Sequence, residues 1–189
     1  MEHIDGDFIS LKKVSTGDAE DIFNWRTSVS GRFLRQPDQY SIQSQVNWIR
    51  GRTESEINYV IYSRRESVKV GMISIYDVNV PDKVTDVGRL LLAPEYLKKS
   101  NPYGLEALLL TYGYVFNAMN FRKITGVIAS KNFEMYKMQK FLGMHQEGFL
   151  KRHTVINNEE EDLYIMSIFK ADFEGYGNKI KLLLRGFSK

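Results

Sequence analysis

Residues 90–110, LLLAPEYLKKSNPYGLEALLL, decide how this chain is read. Three leucines form a buried strand, and GLEALLL opens a buried helix. Between them stand Lys98, Lys99, Ser100, Asn101, Pro102 and Gly104, a polar and cationic joint. Helix starts leave backbone N–H groups unpaired and carry partial positive charge. Pro102 disfavours helix at Asn101 and so limits where the helix begins. Gly104 lets the backbone come close to a ligand, and the two lysines add full charges beside those donors. Such a joint suits a phosphate or pyrophosphate. A solvated loop is the competing reading, and the rest of the chain must choose between them.

The surrounding elements place that joint. Residues 8–14 form a first strand. Ser15 with Asp18 resembles a capping box ahead of a helix carrying Ala19, Ile22 and Phe23. After a loop with Gly31, Pro37 and Asp38, Ser41 caps a second helix with Ile42, Val46 and Ile49 on one face. Residues 57–63 and 68–78 form an antiparallel hairpin through RRES. Residues 87–93 are the next strand, followed by a helix over 104–120, a strand over 123–129, and a helix from Asn132 to Gly143. Residues 148–156 and 163–169, separated by NNEEED, close the fold as a hairpin, with a short helix and tail from Ala171. The expected class is α/β (α+β), a mixed and mostly antiparallel sheet with a central parallel pair and flanking helices. Residues 87–142 form the strand–helix–strand–helix unit with a right-handed crossover. The joint then lies at the carboxyl end of a parallel strand, where α/β sheets bind ligands.

Composition sets the remaining bounds. With 189 residues, no internal repeat and no linker, the chain reads as one domain over 1–189, with its core at about 8–170. No cysteine means no disulfide, thiolate nucleophile or thiolate metal site, and the cytoplasm is the natural expectation. No apolar run of about 18 residues argues for a membrane span. The acidic start MEHIDGDFIS has no secretory character. A net charge of +3, without a basic stripe bearing aromatics, does not call for nucleic acid.

Pro94, Glu95, Tyr96, Lys99, Tyr103, Gly104, Glu106, Ala107 and Leu108 resemble, in order, a motif of the GCN5-related N-acetyltransferases. The likeness is to the branch of ribosomal-protein N-terminal acetyltransferases. NWR (24–26) resembles that family's tryptophan–arginine motif, and Asn132, Lys140, Gly143 and Met144 match its later N-x-x-A-x-x-x-Y-E-K-x-G-F segment. The spacing of YGLEALLLTYGYVF is also similar to amino-sugar N-acetyltransferases of the pseudaminic acid type. The resemblance implies an acyltransferase fold and acetyl-CoA as co-substrate, with no metal. It also implies that backbone groups near Leu91 and Leu92 hold the pantetheine arm between the parallel strands. Coenzyme contacts are expected from Leu91, Leu92, Lys98, Lys99, Ser100, Asn101, Pro102, Tyr103, Gly104, Asn132 and Gln139.

The chain departs from the family in two places. Leu97, Lys98 and Ser100 stand where the phosphate loop usually carries a polar residue and glycines, with two extra residues before Tyr103. Gln139 stands at the place of a tyrosine thought to protonate the departing thiolate, which glutamine cannot do. Tyr136 lies three residues earlier on nearly the same helix face and is a candidate substitute, or a core residue. An alkylammonium is mostly protonated at neutral pH, so a base is useful. Asp86, at the start of the strand before Leu90, and His153, in the closing hairpin, are the candidates. Glu106 reads as structural, on the coenzyme side or in solvent.

Residues 30–40, SGRFLRQPDQY, supply Arg32, Phe33, Arg35 and Tyr40, with Arg26 and Trp48 nearby. Arginine forks bind phosphate, and flat aromatics stack on sugars or bases. The first expectation is therefore an N-acetyltransferase acting on a small amine, foremost a nucleotide-linked amino sugar. A peptide N-terminus is the alternative acceptor, and a non-catalytic acyl-CoA sensor the alternative of another class. A monomer or homodimer is expected.

Overall fold

A computed structural model describes residues 3–53, 55–97 and 101–186. Eight strands form one sheet in the order β1-β2-β3-β4-β5-β6-β8-β7. They are β1 (His3–Asp5), β2 (Ile9–Lys13), β3 (Ile57–Ser63), β4 (Lys69–Asn79), β5 (Val84–Leu92), β6 (Lys123–Ala129), β7 (His145–Ile156) and β8 (Glu159–Phe169). Every neighbouring pair is antiparallel except β5 and β6. The mixed sheet with one central parallel pair agrees with the class expected from the sequence. Val70–Ile75 is buried at every residue. Because side chains alternate between faces, this run is covered on both sides.

The helices are α1 (Ala19–Thr27), α2 (Ile42–Arg50), a one-turn α3 (Pro94–Leu97), α4 (Tyr103–Gly113), α5 (Phe133–Phe141) and α6 (Lys170–Arg185). The last is longer than the short helix expected. Helix α4 ends in a π turn over Tyr114–Ala118 and carries the core residues Ala107, Leu108, Tyr112, Val115 and Phe116. The closing hairpin also differs from expectation. Its connection is only Asn157–Asn158, both at positive φ, so the acidic run after them belongs to β8 rather than to a loop. Two left-handed asparagines are what a two-residue hairpin turn requires. Among the described residues, no helix is long and apolar enough to cross a membrane.

Two buried carboxylates tie the layers together. Glu106, in the first turn of α4, is 3% exposed. It accepts the backbone N–H groups of Asp7 (2.7 Å), Phe8 (2.9 Å) and Ile9 (2.8 Å). Its side chain therefore faces the β1–β2 turn, not the coenzyme side or solvent as the sequence suggested, and its role is structural. Asp18 precedes α1 and accepts the Ser15 N–H and hydroxyl. Lys69 at the start of β4 bridges Asp18 (2.7 Å) and Asp21 (2.8 Å), fixing α1 to the sheet. Burial alone would raise the Asp18 carboxyl. The hydrogen bonds from Lys69 and Ser15 overcome it and hold the group below its ordinary value.

Glu106→Ala strands three backbone donors, and it should cost about 2–4 kcal/mol of stability in urea unfolding; a loss below about 0.5 kcal/mol would refute the anchoring role. Asp18 has a folded pKa below its unfolded value of about 3.9. Its contribution is therefore fully present above that value and lost as pH falls through the folded one. An Asp18→Asn variant should be the less stable protein at pH 7 and converge on the parent chain in acid. Parallel stability curves in the two proteins would show that Asp18 contributes no such term.

Candidate active site

The parallel pair is short. Strands β5 and β6 are in register only at Val84–Lys123, Thr85–Ile124 and Asp86–Thr125, although β5 continues to Leu92 and β6 to Ala129. Beyond Asp86 the strands diverge and leave a narrow gap. A bulge shapes its β5 side. Ser74 opposes Gly88 and Met72 opposes Leu91, so β5 carries one extra residue against β4. Arg89 takes up that excess at φ +51°. A left-handed arginine costs about 1–2 kcal/mol, and such strain persists where the surroundings hold it.

Gly88, Arg89 and Leu90 line the gap, together with Gly126–Ala129 on β6 and Asn132, Met135 and Gln139 on α5. Asn132 caps α5, its Oδ1 accepting the Met135 N–H. Gln139 is buried, and its Oε1 accepts the hydroxyl of the fully buried Tyr112. That bond occupies the oxygen of the amide and leaves Nε2 as the end available to the gap. At the fork, the Thr125 hydroxyl donates to the half-buried Asp86 carboxylate. Burial pushes the Asp86 carboxyl above its ordinary value, against the opposing effect of that hydrogen bond. Tyr76 lies opposite Asp86 in the ladder, with the Arg89 guanidinium 4.3 Å from its ring centroid. A methyl group on Gly88 would come within 2.9 Å of the Tyr76 hydroxyl, so the glycine makes room for that phenol. Burial, then the nearby Asp86 charge, pushes Tyr76 up to about 12.

A second cavity, of about 320 Å³, lies between the α1–α2 layer and the sheet. Arg26 of α1, Tyr40, Gln45 and Trp48, and Met72 and Arg89 of the sheet line it. The Tyr40 hydroxyl donates to Gln45 Oε1 at 2.6 Å. Arg26 donates to the Arg35 carbonyl at 2.9 Å and sits 5.6 Å from the Tyr40 ring centroid. Burial lowers the Arg26 pKa, and the Arg89 charge adds to that. Arg89 pairs with Glu56 at 2.6 Å. Among the described residues, no carboxylate lies within ion-pair distance of Arg26. The loop after α1 is drawn tight at Gly31, where a methyl group would fall 1.8 Å from the Arg26 carbonyl oxygen. Arg89 lines both the gap and this cavity.

The residues singled out from sequence divide accordingly. Asn132 and Gln139 line the gap, and Asp86 stands at its closed end. Leu91 and Leu92 do not line it. Leu91 pairs with Met72, and the Leu92 carbonyl accepts the Ser30 hydroxyl at 2.6 Å. The bulge brings Gly88–Leu90 to the gap instead. Tyr103 is buried, sharing a 3.0 Å hydrogen bond with Ser63. Asn101 braces the α3–α4 connection, its Nδ2 donating to the Tyr96 carbonyl and its Oδ1 accepting the Tyr103 N–H, while Pro102 caps α4. A Cβ on Gly104 would make ordinary 3.6 Å contacts with Leu90 and Leu92, so its bare side faces leucines. Lys98, Lys99 and Ser100 lie outside the described residues.

Tyr136 turns from the gap toward β7 and β8, donating to Gln146 (3.2 Å) and packing 4.7 Å from the Tyr164 ring. His153 is exposed on β7, at the sheet edge. Arg26, Tyr40 and Trp48 meet in the cavity. Phe33 reaches the gap, Arg32 lines a separate depression near Asn157, and Arg35 is exposed. The Arg32 carbonyl accepts from Asn157, so the α1–α2 loop touches the tip of the closing hairpin. Arg89, Tyr76 and Gln45 escaped the sequence reading. Two had visible signals: Arg89 is a charge inside VGRLLLA, and Gln45 sits on the apolar stripe of Ile42 and Ile49.

Comparison with known proteins agrees with this architecture. The chain matches, over residues 9–145, the family model described as Acetyltransferase (GNAT) domain. It is 31% identical over 80 residues to YnaD of Bacillus subtilis (strain 168), an uncharacterized N-acetyltransferase. That match spans 42% of this chain and 46% of the relative. Among solved structures, a GCN5-related N-acetyltransferase from Brucella melitensis superposes with a TM-score of 0.81 at 14% identity, over 96% of this chain and 85% of that one. Spermidine N-acetyltransferase from Vibrio cholerae, in complex with CoA and spermine, does so with a TM-score of 0.80 at 17% identity, over 89% of this chain and 99% of that one. The chain belongs to the GNAT acetyltransferase family.

Proposed function

We propose that this protein is an acetyl-CoA-dependent N-acetyltransferase whose acceptor is a small amine, foremost an amino sugar, free or nucleotide-linked. The thioester arm would lie in the gap between β5 and β6, and the amine in the cavity under α1 and α2. The observation that carries this reading is Arg89, which belongs to the walls of both spaces, so donor and acceptor would meet there.

The gap suits an arm that carries its own amides. Past Asp86 the facing edges of β5 and β6 no longer pair with each other, and main-chain groups need partners. Leu90, Val127 and Met135 offer apolar contact to methylenes between those amides. Lys98, Lys99 and Ser100, on the connection into α4, are the proposed contacts of the diphosphate. Bound there, the coenzyme supplies an activated acyl carbonyl and a thiolate leaving group. The chain supplies position and proton handling. Asp86, raised by burial, is a stronger base than a free aspartate and accepts the ammonium proton through water. Gln139 Nε2, with its oxygen held by Tyr112, donates to the departing sulfur. Gln139 gives up no proton, but a simple thiol has a pKa of about 8.5, so its anion leaves readily.

The acceptor argument rests on charge. Arg26 and Arg89 line the cavity, and among the described residues no carboxylate lines it. A polyamine such as the spermine bound by the Vibrio cholerae relative would meet like charge here. An amino sugar, particularly one carrying phosphate, meets arginines and the flat faces of Tyr40 and Trp48. These features support the reading of an amino sugar as acceptor, with a peptide N-terminus as the alternative.

Thiol release from acetyl-CoA, measured over amino sugars, polyamines and short peptides, should be fastest with amino sugars. Release confined to peptides would favour the N-terminal acetyltransferase reading, and coenzyme binding without release from any amine would favour a sensor. A base must be deprotonated to act, so kcat should rise as pH climbs through the elevated Asp86 value and then level off. Asp86→Asn should lower kcat about 100-fold and remove that rise; an unchanged pH profile would exclude Asp86 as the base.

A further inference from the structure

Gln45 lies on the sheet-facing side of α2, is 3% exposed and lines the acceptor cavity. Its Oε1 is committed to the Tyr40 hydroxyl, and among the described residues its buried Nε2 has no hydrogen-bond partner. Buried donors are almost always paired, and an orphan in a cavity wall points to a group that arrives with a ligand. Arg26 presents the same requirement. It is half-buried, lines the same cavity and spends one Nη2 hydrogen bond on a carbonyl. Among the described residues it has no carboxylate within ion-pair distance. Tyr40 connects the two, one face toward Arg26 and its hydroxyl on Gln45. An amide donor and a guanidinium that line one cavity, both in contact with Tyr40 and short of acceptors, suit a charge-assisted clamp for an oxyanion.

We infer that this end of the cavity is an oxyanion subsite, in which Gln45 Nε2 and Arg26 together hold a carboxylate or phosphate carried by the amine acceptor. The inference rests on the reading of the cavity as the acceptor site and narrows its substrate class to amines bearing an anion. Arg89 cannot replace Arg26 in that role, because its charge is already met by Glu56. A cavity of about 320 Å³ is at the small end of ligand pockets. It holds one sugar-sized unit, so the anion sits on the unit that carries the amine or is joined directly to it.

Trp48 in the cavity wall gives a binding readout that needs no acetyl transfer. Its fluorescence would be titrated with glucosamine, glucosamine 6-phosphate, muramic acid and spermidine, without coenzyme. The phosphate or the carboxylate sugar should bind at least about tenfold more tightly than glucosamine, the better of the two identifying the anion. Spermidine should bind most weakly. Gln45→Leu and Arg26→Met should each abolish the preference for the charged sugars. Gln45→Glu keeps the acceptor for Tyr40 and should turn preference into exclusion, which keeps the test valid if Gln45→Leu fails to fold. Equal binding of glucosamine and both charged derivatives, or an unchanged preference in Gln45→Glu, overturns the subsite. Anion preference in a protein that acetylates none of these amines would uphold the subsite and overturn the acceptor reading.

Discussion

The structure depends on a parallel strand pair that is allowed to fail. Strands β5 and β6 share three rungs and then separate, with both continuing for several residues. A sheet does not normally open at its centre, because main-chain groups facing each other would pair. Here three constraints hold the edges apart. The bulge at Arg89 turns β5 aside, β6 is held on its other side by seven rungs to β8, and helix α5 with Gln139 stands over the opening. Glu106 fixes the start of α4, the helix of the crossover between them, to the β1–β2 turn.

The same bulge joins the two halves of the proposed chemistry. An extra residue in β5 puts Arg89 in a left-handed conformation, over the Tyr76 ring and against Glu56. Arg89 thereby lines both the strand gap and the cavity beneath α1 and α2. Its planar fork can pair with a carboxylate on one side while stacking on a ring with its face, which a lysine cannot do. The strain at residue 89 is thus offset by contacts that also set the electrostatic character of the site. With Arg26 and Arg89 on the cavity wall and one carboxylate, Glu56, paired to Arg89, the charge there is positive.

Periodicity made much of this fold legible. Val70–Ile75 and the helix from Tyr103 carry dense apolar runs, and the polar joint between 92 and 103 marked the strand-to-helix turn correctly. Ser15 and Ser41 marked the starts of the first two helical segments. What could not be read was register. Leu91 and Leu92 were expected at the gap on the family resemblance, and the one-residue bulge in β5 leaves Gly88–Leu90 lining it. The glutamine at 139 was legible as a departure, but its partner Tyr112 lies 27 positions away and shares no local pattern with it. Tyr136 shared the helix face only approximately, and the rotation was enough to send it to β7 and β8. Asp86 was placed at a strand start, whereas β5 begins two residues earlier and makes it the last rung of the parallel ladder. Gln45 shows the opposite case: a lone amide within an apolar stripe carries a signal that propensity alone treats as noise.

Gly31 is not among the residues that line the cavity, yet the loop depends on it. The carbonyl of Arg26 passes so near its Cα that even one methyl would collide with backbone rather than with a movable side chain. A side chain there would have to push the end of α1 outward and carry the arginine with it. Among descendants of this sequence, the loop's arginines and aromatics could therefore diversify with the ligand while position 31 stays bare. Invariance there would record backbone crowding, and a reader searching for ligand contacts would misassign it.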